Sequence, residues 1–360
     1  MTARPNALLC NVGTSMFSRR GELRSMAPEA AASRIRELLV PSEAGAENES
    51  LVEYCRSGDW IERRALQLFH SDTDDGFLAA RILAARFKNE FTHVGTTRCL
   101  GLRDDDPRLF ATRGLRNLVN SLIQAIVRLR RDGCVPAIDA TGGYKPQIAY
   151  AALVGQVMEA PVFYRYQDFP QVISLQPLPV SLDAQVWFDN LWFFERLREE
   201  LLPDREIPHW DERIAPLLDR EDRLVTLSPL GELMAGAVDR LLAGKGEELA
   251  PPAATEPPEK KKIQYEDGNA GKHAGLADFC ARLRTAPFVT RIATFYFNPD
   301  LPRAISVRLP MDAAGGHDRL EVWYGDGRGL TKMSVWTTAR TNRELAAARA
   351  ALARMLEAPL

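Results

Sequence analysis

The chain has 360 residues, 46% of them apolar and 26% charged, with a formal net charge of −2. That is the composition of a soluble globular protein of two or three domains. Arg, Asp or Glu interrupts every long apolar stretch, so none approaches the ~18 residues of a membrane span, and the opening segment has no secretory pattern. Five scattered cysteines without a CxxC pair argue against zinc ribbons and disulfides and for reduced thiols in the cytoplasm. The small net charge hides an asymmetry. From Lys260 onward sixteen basic side chains face ten acidic ones, and a basic tail on an acidic body suits a polyanionic partner.

In chain order, residues 6–12 read as a buried strand running into Gly13-Thr14-Ser15. Residues 28–39 read as a helix and 65–70 as a second strand; the turn SDTDDG and an amphipathic helix follow. Residues 92–100 are extended, and 113–131 carry helical apolar spacing from Leu115 to Leu129. A strand then ends in Asp139-Ala140-Thr141-Gly142-Gly143-Tyr144-Lys145, which opens another helix, and APVFYRY and VISLQPLPV close the domain as strands. Strands alternating with helices predict an α/β, doubly wound parallel sheet over residues 1–182, with ligands at the strand C-termini.

Residues 183–243 predict an aromatic helix, a hairpin and a helix capped by Ser228 with Pro229 at its first position, a small winged-helix-like segment. Trp187, Phe188, Trp192, Phe193 and Phe194 have helical spacing suited to a core or a dimer interface. Residues 244–271 combine Pro, Glu, Lys and Gly without periodicity and read as a linker. Residues 272–360 predict a small α+β domain with an antiparallel sheet of four strands between two helices.

The two glycine-rich loops carry the first chemistry. Glycines let backbone N–H groups turn toward an anion, and a helix start adds its positive end. Gly13, Thr14, Ser15, Thr141, Gly142, Gly143 and Lys145 are therefore the candidate ligand-binding residues, with Thr14, Ser15 and Thr141 as hydroxyl donors and Lys145 as the charge.

NVGTSMF, LFHSDTDDG, GLRNLV, DATGGYKPQIAYAALVGQV and PVFYRYQDF, in this order, resemble the CRISPR-associated Rossmann-like (CARF) sensor domains, in the subgroup that includes archaeal ring nucleases; the resemblance covers roughly residues 6–243. It implies a homodimer that binds a cyclic oligoadenylate, such as cyclic tetraadenylate, across its two-fold axis as activator, with no metal or catalytic cofactor. It further implies that residues matching Ser15 and Lys145 serve a slow ring-nuclease reaction in some relatives, Ser15 at the ribose 2′-OH and Lys145 at the phosphate. The family usually has Asn where Asp139 stands, and often a His-Glu pair near Gln167-Asp168. These departures bear on ring size and self-cleavage.

Other patterns are discounted. Arg64/His70 and Arg86/His93 fit the spacing of HEPN ribonucleases, but His70 ends a strand and His93 opens an extended segment. Asp72, Asp74 and Asp75 are explained by a helix N-terminus rather than a metal.

The C-terminal domain resembles, in size, element order and charge, the RelE-type mRNA interferases. That resemblance implies a type III CRISPR ancillary effector whose ligand activates a metal-independent endoribonuclease, cutting mRNA on the ribosome with ribosomal proteins such as the stalk as partners. Candidate catalytic residues are Arg308, Tyr324, Arg328, Lys332 and Arg340, with His273 and His317 ranked lower. The competing expectations are a ring nuclease with a structural tail domain and a transcriptional sensor. The latter lacks a basic recognition helix in residues 183–243.

Overall fold

A computed structural model describes residues 4–57, 62–166, 172–179, 182–265, 273–301, 305–310, 318–327 and 329–357. The chain divides into two compact units, one of Met1–Leu182 with Arg213–Ala237, the other of Asp183–Glu212 with Val238–Leu360. Among the described residues no helix is long and apolar enough to cross a membrane.

In the first unit, Ala7–Val12 (β1), Ala65–His70 (β2), His93–Arg98 (β3), Pro136–Asp139 (β4), Val162–Tyr164 (β5) and Ile173–Leu175 (β6) form one sheet in the order β3-β2-β1-β4-β5-β6. The pairs from β3 to β5 are parallel, and β6 runs antiparallel to β5. β1 is buried along its whole length because it is central and covered on both faces. Ala7 and Leu9 point to the layer of helices Leu115–Arg131 and Lys145–Val157. Leu8, Cys10 and Val12 point to Pro28–Arg36, Ala46–Arg56 and Asp74–Phe87. The strand order reverses direction between β1 and β4, the place where such sheets open a crevice. The helix Ala46–Arg56 lies in a stretch to which the sequence pattern assigned no element.

The hairpin Leu218–Glu221/Leu224–Leu227 turns through Asp222 and Arg223, both at positive φ. The Ser228 hydroxyl then accepts the Gly231 N–H at 3.1 Å, the expected cap of helix Pro229–Gly244. The expected single winged-helix-like segment is instead shared out, with Asp183–Glu212 in the second unit and Arg213–Ala237 in the first.

The second unit holds a five-stranded sheet. Lys262–Tyr265 pairs parallel to Val289–Asn298, and Leu330–Thr337, Arg319–Gly325 and Ile305–Arg308 follow antiparallel. Helices Leu276–Arg284 and Asn342–Glu357 pack on Ile292, Val307, Leu320, Val322, Met333 and Val335. The four expected antiparallel segments are present, and the fifth strand corrects the expected linker over 244–271. The buried Lys261 ammonium donates to the carbonyls of Arg284 (3.2 Å), Ala286 (2.8 Å) and Pro287 (3.4 Å). Ala254 N–H donates to Pro287 O at 2.9 Å. A segment rich in Pro and charge thus gains its order from backbone pairing rather than from apolar periodicity. Trp187 and Phe194 are core, their rings stacked 4.4 Å apart.

Candidate functional site

β1 and β4 end side by side, so the loops that follow them meet. A Cβ placed on Gly13 would lie 3.0 Å from Gly143 N, and one on Gly142 would lie 2.4 Å from Asn11 O. Gly143 also has φ +90, a conformation that a residue with a side chain adopts only under strain. Between the loops lies a cavity of about 320 Å³. It is lined by Gly13, Thr14, Ser15, Thr141, Gly142 and Gly143, six of the seven expected ligand-binding residues, together with Tyr144 and Glu47. Lys145, the seventh, is exposed at the first position of its helix and does not line the cavity.

Asp139 ends β4 beneath the second loop and is fully buried. Its carboxylate accepts the Thr141 N–H (3.0 Å) and the Ser50 hydroxyl. Burial pushes its pKa up, against the opposing pull of the Ser50 and Thr141 hydrogen bonds. Asp139 therefore shapes the loop from below rather than facing a ligand. Burial likewise pushes the Cys10 thiol well up, with Asp139 and Glu47 adding to the shift.

Glu47 was not anticipated. It is 2% exposed, and its Oε1 accepts the Gly13 N–H while its Oε2 accepts the Ser15 hydroxyl proton, each at 2.8 Å. Ser15 Oγ in turn accepts the Ala46 N–H at 3.2 Å. The first loop is thus tied to the start of helix Ala46–Arg56, and one carboxylate takes two donors that the sequence reading had assigned to an anionic ligand. The only local signal was Gly45, at φ +96, ahead of an acidic first helical turn.

The discounted patterns stay structural. His70 is buried with Nδ1 2.8 Å from Ser71 O. Thr73 caps helix Asp74–Phe87, accepting from Gly76 N–H. The Gly101 N–H and then Arg98 hold the Asp72 carboxyl below its usual range. Gln167 and Asp168 lie outside the described residues.

In the second unit, sheet register decides which candidates share a face. Trp323 lies opposite Lys332, and Lys332 opposite Tyr296; Arg319 lies opposite Trp336, and Trp336 opposite Arg291. These side chains, with Arg308 and Glu321, share the face away from the core, and Arg291, Arg308 and Lys332 lie over aromatic rings there. Arg308 sits 4.2 Å and Lys332 4.1 Å from the Trp323 ring, and Arg291 sits 4.6 Å from Trp336. Beside Trp323 opens a cavity of about 830 Å³ shared with Trp192, Glu195, Glu199 and Arg349. Glu199 pairs with Arg308 and Glu195 with Arg349, both at 2.9 Å.

Arg308 and Lys332 therefore do come together. Tyr324 does not join them: as the neighbour of Trp323 it points the opposite way, packs on Phe279 and His273, and donates to Ala274 O at 2.9 Å. Arg340 lies beyond the last strand, exposed, its backbone N–H donating to Glu344. His273 is buried between Thr331 Oγ1 (2.7 Å) and Asp326 Oδ1 (3.0 Å). Arg328 and His317 lie outside the described residues.

A glycine-walled crevice at the switch point of a doubly wound sheet places the first unit among the Rossmann-like α/β folds, in which that position is where a crevice opens beyond the strand ends. Residues 42–178 match a family model described as CRISPR-associated protein (Cas_APE2256), a stretch that contains Glu47 and the Thr141–Lys145 loop. No curated protein matches the sequence. The similar solved structures include two at 8% identity each. Can2 from Sulfobacillus thermosulfidooxidans, in complex with cyclic tetra-adenylate, aligns with a TM-score of 0.28 over 68% of this chain and 66% of that one, slightly under two thirds. Protein VC1899 from Vibrio cholerae aligns with a TM-score of 0.26 over 92% of this chain and 77% of that one.

Proposed function

We propose that this chain is a type III CRISPR ancillary effector in the cytoplasm: a homodimeric sensor of cyclic tetraadenylate whose second unit is a ribonuclease. The observation that carries the sensor reading is the contact of two glycine turns, Gly13 against Gly143, around a cavity at the β1/β4 switch point. The N–H groups of Gly142 and Gly143, together with exposed Lys145 at the adjoining helix start, offer donors and charge to a phosphate. The exposed apolar side chains of Ile173, Leu175 and Leu178, on the edge strand and just beyond it, suit a subunit contact.

The ribonuclease reading rests on the outer sheet face. Interleaved Trp and cationic side chains are the chemistry that stacks bases and follows a phosphate backbone. The Arg308–Glu199 pair is largely exposed, and such pairs are worth only about 0–1 kcal/mol, so a phosphate can replace Glu199. In this reading the unit is RelE-like, works without metal, and cuts mRNA on the ribosome in contact with ribosomal proteins such as the stalk. Arg308 and Lys332 hold the scissile phosphate, with Arg340 at the margin.

The test is a cell-free translation reaction given cyclic tetraadenylate. Cut mRNA is expected only with the ring and ribosomes together. Cutting that survives removal of ribosomes refutes the RelE analogy, and no cutting under any condition leaves the second reading, a ring nuclease with a structural C-terminal unit. That reading is favoured by one observation, the hydroxyl–carboxylate pair Ser15–Glu47 inside the cavity.

A further inference from the structure

The hydrogen bonds around Ser15 fix what this hydroxyl can offer. A serine has one proton to donate and two lone pairs with which to accept. The proton is given to Glu47 Oε2 at 2.8 Å, and one lone pair takes the Ala46 N–H at 3.2 Å. One acceptor position remains, at a residue that lines the cavity. Ser15 is therefore matched to an incoming hydroxyl, not to a phosphate oxygen.

Glu47 is a wall rather than a lid. It is 2% exposed, held at both oxygens, and its Cγ lies 2.4 Å from where a Gly142 Cβ would sit. Moving it would strand the Gly13 N–H. A fixed carboxylate in a pocket for a polyanion costs affinity, and that cost is understandable where a proton has to be taken away.

We infer that Glu47 is the positioning residue of a Ser15–Glu47 proton relay that lets the cavity open a ribonucleotide ring. The inference rests on reading the cavity as a cyclic oligoadenylate site. In the step, the ribose 2′-oxygen bonds to the adjacent phosphorus and the P–O5′ bond breaks. The 2′ proton passes to Ser15 Oγ as Ser15's own proton passes to Glu47 Oε2. The leaving 5′-oxygen takes a proton from solvent, and Glu47 returns its proton to solvent. The products are a 2′,3′-cyclic phosphate and a 5′-hydroxyl, with no net change in oxidation.

The test compares the full-length wild type with Glu47→Gln, Ser15→Ala and the double variant, using labelled cyclic tetraadenylate. Equilibrium binding and single-turnover cleavage are measured separately, with a melting curve for each variant. In Glu47→Gln the new amide keeps an acceptor for Gly13 N–H but donates to Ser15, so the relay is reversed while the fold is kept. The expected result is binding as tight as wild type or up to about tenfold tighter, with cleavage slowed at least about 100-fold, the lower end for general-base assistance. The double variant should fall no further than either single one, as groups acting as a unit do. Glu47→Gln cleaving at the wild-type rate, or additive losses in the double variant, overturns the relay. Wild type that binds the ring and leaves it intact also overturns the relay while sparing the sensor reading. Wild type that binds no ring removes both.

Discussion

Substituting Gly142 by Ala tests the architecture of the cradle. The added methyl would meet Asn11 O and Glu47 Cγ at 2.4 Å each and Glu47 Oε1 at 2.6 Å. Asn11 O is backbone in the central strand, and Glu47 is held by two hydrogen bonds, so neither neighbour can swing aside. The loops must part. Overpacking of this kind costs about 1–3 kcal/mol, which for a unit of about 200 residues lowers its melting temperature by roughly 2–12 °C. Because the same movement pulls Gly143 away from Gly13, affinity for cyclic tetraadenylate should fall at least tenfold, about 1.4 kcal/mol. Gly21→Ala is the control: a Cβ there meets nothing within 4 Å, and stability should stay within about 0.5 kcal/mol of wild type. Calorimetry and a binding titration read both variants. A Gly142→Ala protein that melts and binds like wild type would refute the claim that the two loops are in contact.

Three further outcomes follow from other parts of the chain. Asp139 has a folded pKa raised above 3.8 by burial, so its ionised form is disfavoured by folding and its contribution declines as pH rises through the window above 3.8. Asp139→Asn should therefore melt higher than wild type at pH 7, with the gain fading as pH falls toward 3.8; a wild-type advantage at pH 7 contradicts this. Lys261→Met leaves the carbonyls of Ala286 and its neighbours without their cationic donor and should cost about 2–3 kcal/mol by urea unfolding; a loss below about 0.5 kcal/mol would mean that the segment is not stitched to the sheet. Trp323→Ala should weaken binding of single-stranded RNA by about 1–3 kcal/mol, the worth of one stacked base, while Tyr324→Phe, on the opposite face with its ring packed on His273 and Phe279, should leave RNA binding unchanged. The reverse ranking in a filter-binding assay would place RNA on the other face.

How legible the fold was depended on whether an element owes its existence to its own side chains. β1, β2 and β4 are apolar runs ending in Gly or Asp turns, and they fold where the pattern puts them. The strand Lys262–Tyr265 has no such pattern: it forms because Val289–Asn298 offers a free edge and Lys261 ties three carbonyls beside it. Helix Ala46–Arg56 is likewise obscured by its acidic first turn. On the sheet, alternation alone separates Trp323 from Tyr324, but that Trp323 meets Lys332 and Arg308 is a matter of register, which a sequence does not print.

The same distinction explains the cradle. Glycines at turns are visible because their role is local, so six of the seven expected residues line the cavity. Glu47 is separated from Ser15 by 32 positions and from Gly13 by 34, and beyond Gly45 and an acidic helix start nothing local marks it. Yet it alters the chemistry most, because the donors it consumes are those of Gly13 and Ser15. A loop read by itself as a phosphate cradle turns out, once its hydrogen bonds are counted, to have its Gly13 N–H and Ser15 proton already taken, which leaves it an acceptor rather than a donor. On the proposed reading, phosphate recognition is left to the Gly142–Gly143 turn and Lys145, so that the two loops would hold different parts of the ligand.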